Sequence, residues 1–337
     1  MISAFQPARL RLARELKAWT QTGLAAQIGA TAAAVSQFES GASRPGTTML
    51  DRLSEVLDVP DSFFFLPAPE THEGFFRSLR RTSVTHRRRA RALAYVAHDL
   101  AEGGPARVCE LPLHQVGDVT AGRELFEEIA GRVRDAWNLP AGPIINVVST
   151  LEGRGIVVIR LPLDSADVDA FSLPFRDRPV IVLGSDKNDR ARSRFDAAHE
   201  LGHLVAHSDQ VWGIKEVENQ AHWFAASFLM PADDIVDELP THVDWPTLFD
   251  LKRKWQVSLA ALLMRARTLD RLTPNQYVAA IKTASARGWR RVEPVSLGAP
   301  EAPTALHHAL VTSPGRRLAK TMPRHVVDAL ELATATL

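Results

Sequence analysis

The chain has 337 residues, of which 45% are hydrophobic and 23% are charged, and its formal net charge is +1. This length suits about two domains of roughly 150 residues each, and the small net charge excludes nucleic-acid binding by overall charge alone. The one cysteine, Cys109, excludes an internal disulfide framework and a zinc site built from cysteines. No apolar run reaches the ~20 residues of a membrane span and no leader peptide is recognisable. We therefore expect a cytoplasmic protein that has no membrane partner.

Residues 7–66 are predicted to form a small all-helical domain. Its second and third helices are short, and Gly29 stands between them at a position where glycine commonly ends a helix. Thr20 and Thr31 occupy the places where N-cap residues are expected. Two short helices joined by a glycine-containing turn, inside a small helical unit, are the helix-turn-helix arrangement of DNA-binding proteins.

The pattern T-Q-x-x-L-A-x-x-x-G-x-x-x-x-x-V-S-x-x-E-x-G-x-x-x-P begins at Thr20 and resembles the Xre (lambda-repressor-like) family. The resemblance implies that residues 31–38 form the recognition helix and that operator DNA is the partner. Glutamine can pair with adenine, and small side chains can contact thymine methyl groups. Gln21 and Arg44 would contact phosphates. The side chains implied to face the bases are Thr31, Ala32, Ala33, Ser36 and Gln37.

Basic and acidic residues roughly balance within residues 7–66. One copy of the domain should therefore bind double-stranded DNA weakly, because binding depends on neutralising phosphates. A homodimer that binds two half-sites would compensate for this weakness. The alternative interpretation of these residues is a helical scaffold or a protein-docking module.

Residues 67–118 are predicted to be a linker and a basic helical connector. The linker runs from Pro67 to Gly74, and no acidic residue occurs between Glu73 and Asp99. The basic residues could neutralise phosphates or could form a solvated helix face. Helices are expected at about 85–102 and 119–138. The arginines of this stretch are Arg77, Arg80, Arg81, Arg87, Arg88, Arg89 and Arg91.

Two apolar, β-branched runs, at 155–159 and 178–183, are bounded by Gly, Pro and Asp and predict strands. We expect residues 164–175 to be a connection at the rim of a site.

The segment from Arg192 to His207 contains the pattern H-E-x-x-H in a stretch without proline that suits a helix. Residues four positions apart are neighbours on a helix surface, so His199 and His203 can reach one metal ion. Glu200 would lie near that ion, where a carboxylate can take a proton from a metal-bound water. The alternative is that both histidines have a structural role and make their hydrogen bonds within the protein, without a metal.

A hydrolytic zinc site has three protein ligands and one open position, so a third ligand is expected downstream. A second helix, from Glu216 to Met230, ends at Pro231 and carries Glu218 in its first turn. Together, H-E-L-G-H and the later E-x-x-A-x-x-F-A-A-x-x-L-M-P resemble the ImmA/IrrE family of metallo-endopeptidases.

The resemblance implies that His199, His203 and Glu218 bind Zn²⁺, or Mn²⁺ in its place, and that Glu200 is the general base. His207 stands where the family commonly has a histidine. His222 stands where the family usually has Asn or Asp, a position from which a side chain could orient a metal-bound imidazole. His207, His222 and Arg194 are the candidates for stabilising the oxyanion.

In this family the usual substrate is a repressor that carries the same type of helix-turn-helix. Two hypotheses follow: the enzyme cleaves a separate repressor, or it cleaves its own or a twin's DNA-binding module between Pro67 and Gly74. Zinc peptidases commonly take substrate by strand addition, and the strand at 178–184 or its neighbour is proposed for this role. The competing function is a DNA-binding regulator whose zinc fold is a non-proteolytic sensor or structural domain. A third hypothesis, an antitoxin-like partner-binding module, uses only the first 66 residues.

The expected fold class is α+β: an N-terminal all-α helix-turn-helix domain, then a mainly helical zincin-like domain with a small β-sheet. The expected bounds are 7–66 for the DNA-binding domain, 67–118 for the connector and 119–285 for the peptidase domain. Residues 286–337 are expected to be a partly helical tail of unknown function.

Overall fold

A computed structural model describes residues 4–67, 84–104, 109–163, 169–207 and 214–335, the last five without their side chains. The predicted linker cleavage segment after Pro67, the arginines at 77, 80 and 81, and the start of the predicted rim connection at 164–168 lie outside the described residues. None of the helices in the described ranges is both long enough and apolar enough to cross a membrane.

The described residues form a mainly helical protein with one small sheet, which confirms the α+β class. The first eight helices are α1 Pro7–Leu16, α2 Gln21–Ile28, α3 Ala32–Ser40, α4 Thr47–Leu57, α5 Val84–Ala101, α6 Arg123–Ala136, α7 Val147–Gly153 and α8 Arg190–Ala206. The others are α9 Lys215–Leu229, α10 Ala232–Ile235, α11 Trp245–Trp255, α12 Leu259–Thr268, α13 Pro274–Ala286, α14 Ala305–Val311, α15 Ser313–Ala319 and α16 Arg324–Ala335. A 3₁₀ turn covers Asp61–Phe65, and the strands are β1 Val157–Leu161, β2 Ala170–Leu173 and β3 Val180–Gly184.

The chain divides into two compact units that interleave along the sequence. The first consists of Met1–Glu110, Leu151–Asp186 and Ala302–Leu337, and the second consists of Leu111–Thr150 and Lys187–Glu301. This interleaving could not be predicted from the sequence, because periodicity and motifs report local structure and not which distant segments pack together. The four domain bounds given above stay a prediction.

The first unit begins with the helix-turn-helix. The Thr20 hydroxyl accepts a hydrogen bond from the Gly23 amide at 3.0 Å, and the Thr31 hydroxyl accepts one from the Ala34 amide at 3.1 Å. Both predicted N-caps are therefore confirmed. Gly29 ends α2 with φ 65°, a left-handed conformation that side chains disfavour. A buried ion pair then joins α1 to α3, because Arg14 donates to both carboxylate oxygens of Glu39 at 2.6 and 2.9 Å.

The sheet has the strand order β1-β3-β2. β1 runs parallel to β3, with Val157 opposite Val180, and β2 runs antiparallel to β3, with Ala170 opposite Leu183. The prediction of a substrate-binding edge at 178–184 was wrong for that strand, since β3 is central and both of its edges are paired. Residues 170–173 form a strand, so the predicted rim connection is in part sheet.

Helix α5 and the C-terminal helices complete the core of the first unit. Val96 and Leu100 of α5, Ile159 of β1, and Leu306 and Leu330 of the C-terminal helices are all fully buried in one hydrophobic cluster. The C-terminal residues from 302 onward, for which the sequence indicated no purpose, therefore have a structural role.

In the second unit, α9 packs against both α6 and α8. Gly202 of α8 permits the close approach of α9, because a Cβ atom at Gly202 would lie 2.9 Å from Cδ1 of Phe224. α8 begins at an N-cap, Asp189, whose side chain accepts a hydrogen bond from the Arg192 amide at 2.9 Å. These two helices carry the predicted metal ligands.

Candidate metal centre

Three predicted ligands converge at the contact between α8 and α9. The Nε2 atoms of His199 and His203 lie 3.1 Å apart. The Glu218 Oε2 atom lies 3.4 Å from His199 Nε2 and 3.9 Å from His203 Nε2. Ligand atoms bonded at about 2.1 Å in a tetrahedral zinc site are about 3.4 Å from one another. Two nitrogens and one carboxylate oxygen at these separations therefore fit Zn²⁺ and leave a fourth position for water or substrate.

The electrostatics of Glu218 and His203 favour the forms that bind a metal. Burial alone would raise the pKa of Glu218, but hydrogen bonds and charge from His199 and His203 outweigh burial and hold that pKa well below its usual range. Burial lowers the pKa of His203 to about 3. Burial also acts to lower the pKa of His199, yet Glu218 and Glu200 reverse the effect, so its pKa is raised. Glu218 is therefore charged and His203 neutral near neutral pH.

A chain of hydrogen bonds runs behind His203, on the side away from Glu218. His207 Nδ1 lies 3.1 Å from His203 Nδ1, and His207 Nε2 lies 3.0 Å from Gln220 Oε1. Because an amide oxygen only accepts, His207 Nε2–H is the donor to Gln220. Burial lowers the pKa of His207 to about 4, so this ring is neutral and its Nδ1 is an acceptor. His203 must then donate from Nδ1, which leaves the lone pair of its Nε2 directed at the metal position.

Gln220 is held in the orientation that this chain requires. Its Nε2 donates to the carbonyl oxygens of Asp118, Val119 and Ala121 at 3.3, 3.1 and 3.3 Å. Sequence reasoning missed Gln220, because a buried glutamine belongs to no spacing rule and these partners are about a hundred positions away in the chain. The one signal was its place in the sequence, two residues after Glu218 on the helix that carries this ligand.

His222 lies on the solvent side of the site. Its Nδ1–H donates to the Glu218 carbonyl oxygen at 2.6 Å, and its ring centroid lies 4.6 Å from that of His199. A cavity of about 410 Å³ adjoins this ring. The walls of the cavity are largely apolar, and the polar groups Arg123, Glu127, Asn219 and Arg265 also line it. Its apolar lining residues are Phe195, Trp223, Ala226, Ala261 and Met264.

Arg194 and Glu200 occupy different environments although both are buried on α8. The Arg194 guanidinium forms an ion pair with Glu301 and donates to the Ile144 carbonyl oxygen at 2.6 Å. This arrangement gives Arg194 a structural role, and we leave it out of the proposed catalytic set. Glu200 follows His199 on α8, and the charge of its carboxylate contributes to the raised pKa of that histidine.

The side chains predicted to contact DNA lie mostly on the surface of α2 and α3. Ala33, Ser36, Gln37 and Arg44 are exposed, as is Thr31, whereas Ala32 is half-buried. The half-buried Gln21 donates to Glu39 Oε2 at 2.9 Å. The base-facing and phosphate-facing roles of these residues stay predictions.

A second group of potential ligands lies in the first unit. Ligand atoms of His98, Glu102 and Asp177 lie within 4.8 Å of one another. Both carboxylates are exposed, and His98 already pairs with Asp177 at 3.0 Å. Among the described residues, the group on α8 and α9 therefore has the better donor geometry for zinc.

Comparison with protein families confirms both resemblances. Residues 10–64 match the helix-turn-helix family, and residues 151–267 match a peptidase family described as the IrrE N-terminal-like domain. The second match includes the three strands and both helices that carry the metal-ligand candidates.

Two similar proteins match a short part of the chain. Over 61 residues the chain is 38% identical to uncharacterized HTH-type transcriptional regulators of Sinorhizobium medicae and of Rhizobium meliloti. The match covers 18% of this chain and 44% of each relative, so the chain spans less than half the length of these relatives. Taken with the family matches, the chain joins an XRE-type helix-turn-helix domain to an IrrE/ImmA-like peptidase domain.

Proposed function

We propose that this protein is a DNA-binding transcriptional regulator with a zinc-dependent endopeptidase activity directed at a helix-turn-helix repressor, either a partner or a copy of itself. The observation that carries the proposal is the convergence of His199, His203 and Glu218 at separations that suit tetrahedral zinc, with Glu200 beside the first ligand. A purely structural zinc site would have no need of that adjacent carboxylate.

The chain's own residues supply the proton transfers of peptide hydrolysis. Zinc, when bound, would supply Lewis acidity that lets water lose a proton near neutral pH and polarises the peptide carbonyl. Glu200 takes the proton of the attacking water, whose oxygen bonds to the carbonyl carbon. Glu200 then passes that proton to the amide nitrogen as the C–N bond breaks, so that one carboxyl and one amine product leave.

His222 and the neighbouring cavity support substrate binding on the open side of the site. The bond to the Glu218 carbonyl fixes the His222 ring. Burial and the neighbouring His199 lower the pKa of His222, so its Nε2 is an acceptor that can hold a water, and this water can donate to the developing oxyanion. The apolar walls of the cavity of about 410 Å³ suit a hydrophobic side chain of the substrate. A cleavage site flanked by an apolar residue is therefore expected.

The covalent link to a helix-turn-helix domain supports a repressor as substrate. A peptidase joined to a DNA-binding module would be brought to the repressor's own promoter, which raises its local concentration there. Cleavage between the DNA-binding part and the rest of a repressor would end repression. Binding as a homodimer to two half-sites is part of the proposal, because one copy carries little net charge in its DNA-binding domain.

The proposal is tested by comparing the parent protein with Glu200→Gln. Each zinc-loaded protein is incubated with purified helix-turn-helix repressors of the same genome and alone, and fragments are identified by mass spectrometry. We expect cleavage by the parent, a rate at least about 10²-fold lower in Glu200→Gln, and the same zinc content in both. If both variants hold zinc and neither cuts any repressor or itself, the non-proteolytic sensor hypothesis replaces the peptidase.

A further inference from the structure

The helix-turn-helix segment has no excess of positive charge. Residues 7–66 contain six basic and six acidic side chains, so their net charge is zero. Affinity for DNA comes largely from neutralising phosphates with Lys and Arg. A basic surface outside the motif would therefore add affinity, provided that it is held in a fixed position relative to α2 and α3.

Helix α5 meets this positional requirement within the first unit. It packs directly against α1, and its arginines pair with a buried carboxylate of that helix. Arg91 Nη2 lies 3.2 Å from Glu15 Oε2, and Arg88 Nε lies 4.0 Å from Glu15 Oε1. Because the Glu15 side chain is only 4% exposed, it anchors α5 to the helix-turn-helix and presents little negative charge to solvent.

A groove of about 610 Å³ lies between α5 and the helix-turn-helix, and we name it the α1–α5 groove. Gln21, which the motif places at a DNA phosphate, is one of its lining residues. The α1–α5 groove therefore opens beside the surface that is expected to face DNA. The residues that line it are Arg11, Arg14, Glu15, Thr20, Gln21, Thr22, Glu39, Val84, Arg87, Arg88 and Arg91.

The α1–α5 groove has an excess of positive charge, with five arginines against two glutamates. Both glutamates are buried and already paired, Glu39 with Arg14 and Glu15 with α5. By contrast, the side chains of Arg11 and Arg88 are 51% and 53% exposed. Among the described residues, no carboxylate pairs with Arg87. The positive charge is therefore directed to solvent, where it can meet an anionic partner.

We propose that the α1–α5 groove binds the DNA sugar–phosphate backbone beside the operator half-site, with Arg87 and Arg88 of α5 as phosphate contacts outside the helix-turn-helix motif. This inference rests on the proposed DNA binding and adds the residues that supply its charge. DNA is the favoured occupant because the groove shares Gln21 with the motif and because phosphates complement its charge. Contacts of this kind add affinity and register without reading sequence.

The test is the salt dependence of DNA binding by the full chain. The probes are a duplex of about 25 base pairs selected by the parent protein from a random pool and a scrambled duplex of equal length. Fluorescence anisotropy gives the binding constants of the parent and of the double variant Arg87→Gln, Arg88→Gln. The control is Arg290→Gln, Arg291→Gln, which removes the same charge from two exposed arginines of the other unit. Circular dichroism establishes that each variant is folded.

We expect the slope of log K against log salt to become less steep by about 1.8 in the α5 variant, since each lost phosphate contact is worth about 0.9. The ratio of the parent's binding constant to that of the α5 variant should therefore fall about 12-fold when the salt concentration rises from about 50 to about 200 mM. The loss should be equal on both duplexes, and the control should match the parent.

Three results would overturn the inference. An unchanged slope in the folded α5 variant would mean that the groove serves another anion, such as an acidic peptide. A loss confined to the selected duplex would mean base reading instead of backbone binding. An equal change of slope in the control would mean a general charge effect. If the parent binds neither duplex at any salt concentration, the proposed DNA binding itself fails, and that outcome is distinct from the other three.

Discussion

Replacing Gln220 tests whether the chain of hydrogen bonds behind His203 supports the metal. Gln220→Met keeps the length and burial of the side chain. It removes the amide oxygen that accepts from His207 Nε2–H at 3.0 Å in the parent. It also removes the amide nitrogen that donates to the carbonyl oxygens of Asp118, Val119 and Ala121. His207 can then change its tautomer or its ring orientation. In that case His203 is no longer held with the lone pair of Nε2 directed at the metal position.

The expected losses of zinc affinity and of folding stability can be bounded from these contacts. Removing an outer partner of a metal-bound histidine typically weakens metal affinity 10–100-fold, which is about 1.4–2.8 kcal/mol. The fold is also destabilised with or without zinc, by about 1–3 kcal/mol, since His207 and three carbonyl groups lose a partner in a buried place. Zinc affinity and the free energy of unfolding should therefore both fall.

Zinc dissociation constants are measured near neutral pH by competition with a chromophoric chelator. Gln220→Glu retains an acceptor for His207 and should bind zinc more tightly than Gln220→Met does. Gln27→Met, an exposed position in the other unit, should leave zinc affinity unchanged. If the zinc Kd of folded Gln220→Met lies within about twofold of the parent's Kd, the reasoning is refuted. Loss of a partner that supports a metal-bound histidine should weaken metal affinity at least about tenfold.

Further predictions concern packing, the open side of the site and pH. Gly202→Ala should lower the free energy of unfolding by about 1–3 kcal/mol in denaturant titrations, because its Cβ would lie 2.9 Å from Phe224 Cδ1; a loss near zero would contradict that close packing. His222→Ala should keep zinc and slow cleavage by about 10²-fold, whereas His222→Asn, which restores the family's usual residue, should retain more activity; equal rates in both variants would exclude a polar role. Burial alone would lower the pKa of His98, but Asp99 and Asp177 outweigh it and raise that pKa above 6.5. The native state then binds more protons than the unfolded state, so the His98 contribution is complete below about pH 6.5 and is lost as pH rises through the raised pKa; unfolding curves of His98→Asn should lack this decline.

The parts of the molecule that depend on local spacing could be predicted from sequence. The i, i+4 histidines and the two threonine N-caps each follow from a local rule, and the structure has the caps and brings the histidines together. The two predicted strands lie within a few residues of β1 and β3, since Val180–Leu183 is an uninterrupted β-branched and aliphatic run. The third strand, β2, was missed, because its residues were predicted to be a connection. The run Val180–Leu183 contains no polar residue, which is typical of a strand covered on both sides and argued against an edge position.

The parts that depend on distant packing could not be predicted. Gln220 reaches Asp118, which is 102 positions away, and no spacing rule connects a buried amide to such a turn. Arg194 was a candidate for the oxyanion because it lies near the motif in sequence, whereas its guanidinium pairs with Glu301. The interleaving of the two units likewise arises from contacts between segments far apart in the chain, which periodicity does not report.

The most direct test of the central claim is the zinc content of the parent and three purified variants, measured by mass spectrometry of the metal. The parent and Glu200→Gln should each hold about one zinc per chain, Glu218→Ala should lose it, and His98→Ala should keep it. A parent without zinc, or zinc that is retained in Glu218→Ala and lost in His98→Ala, would contradict the assignment of the metal to His199, His203 and Glu218.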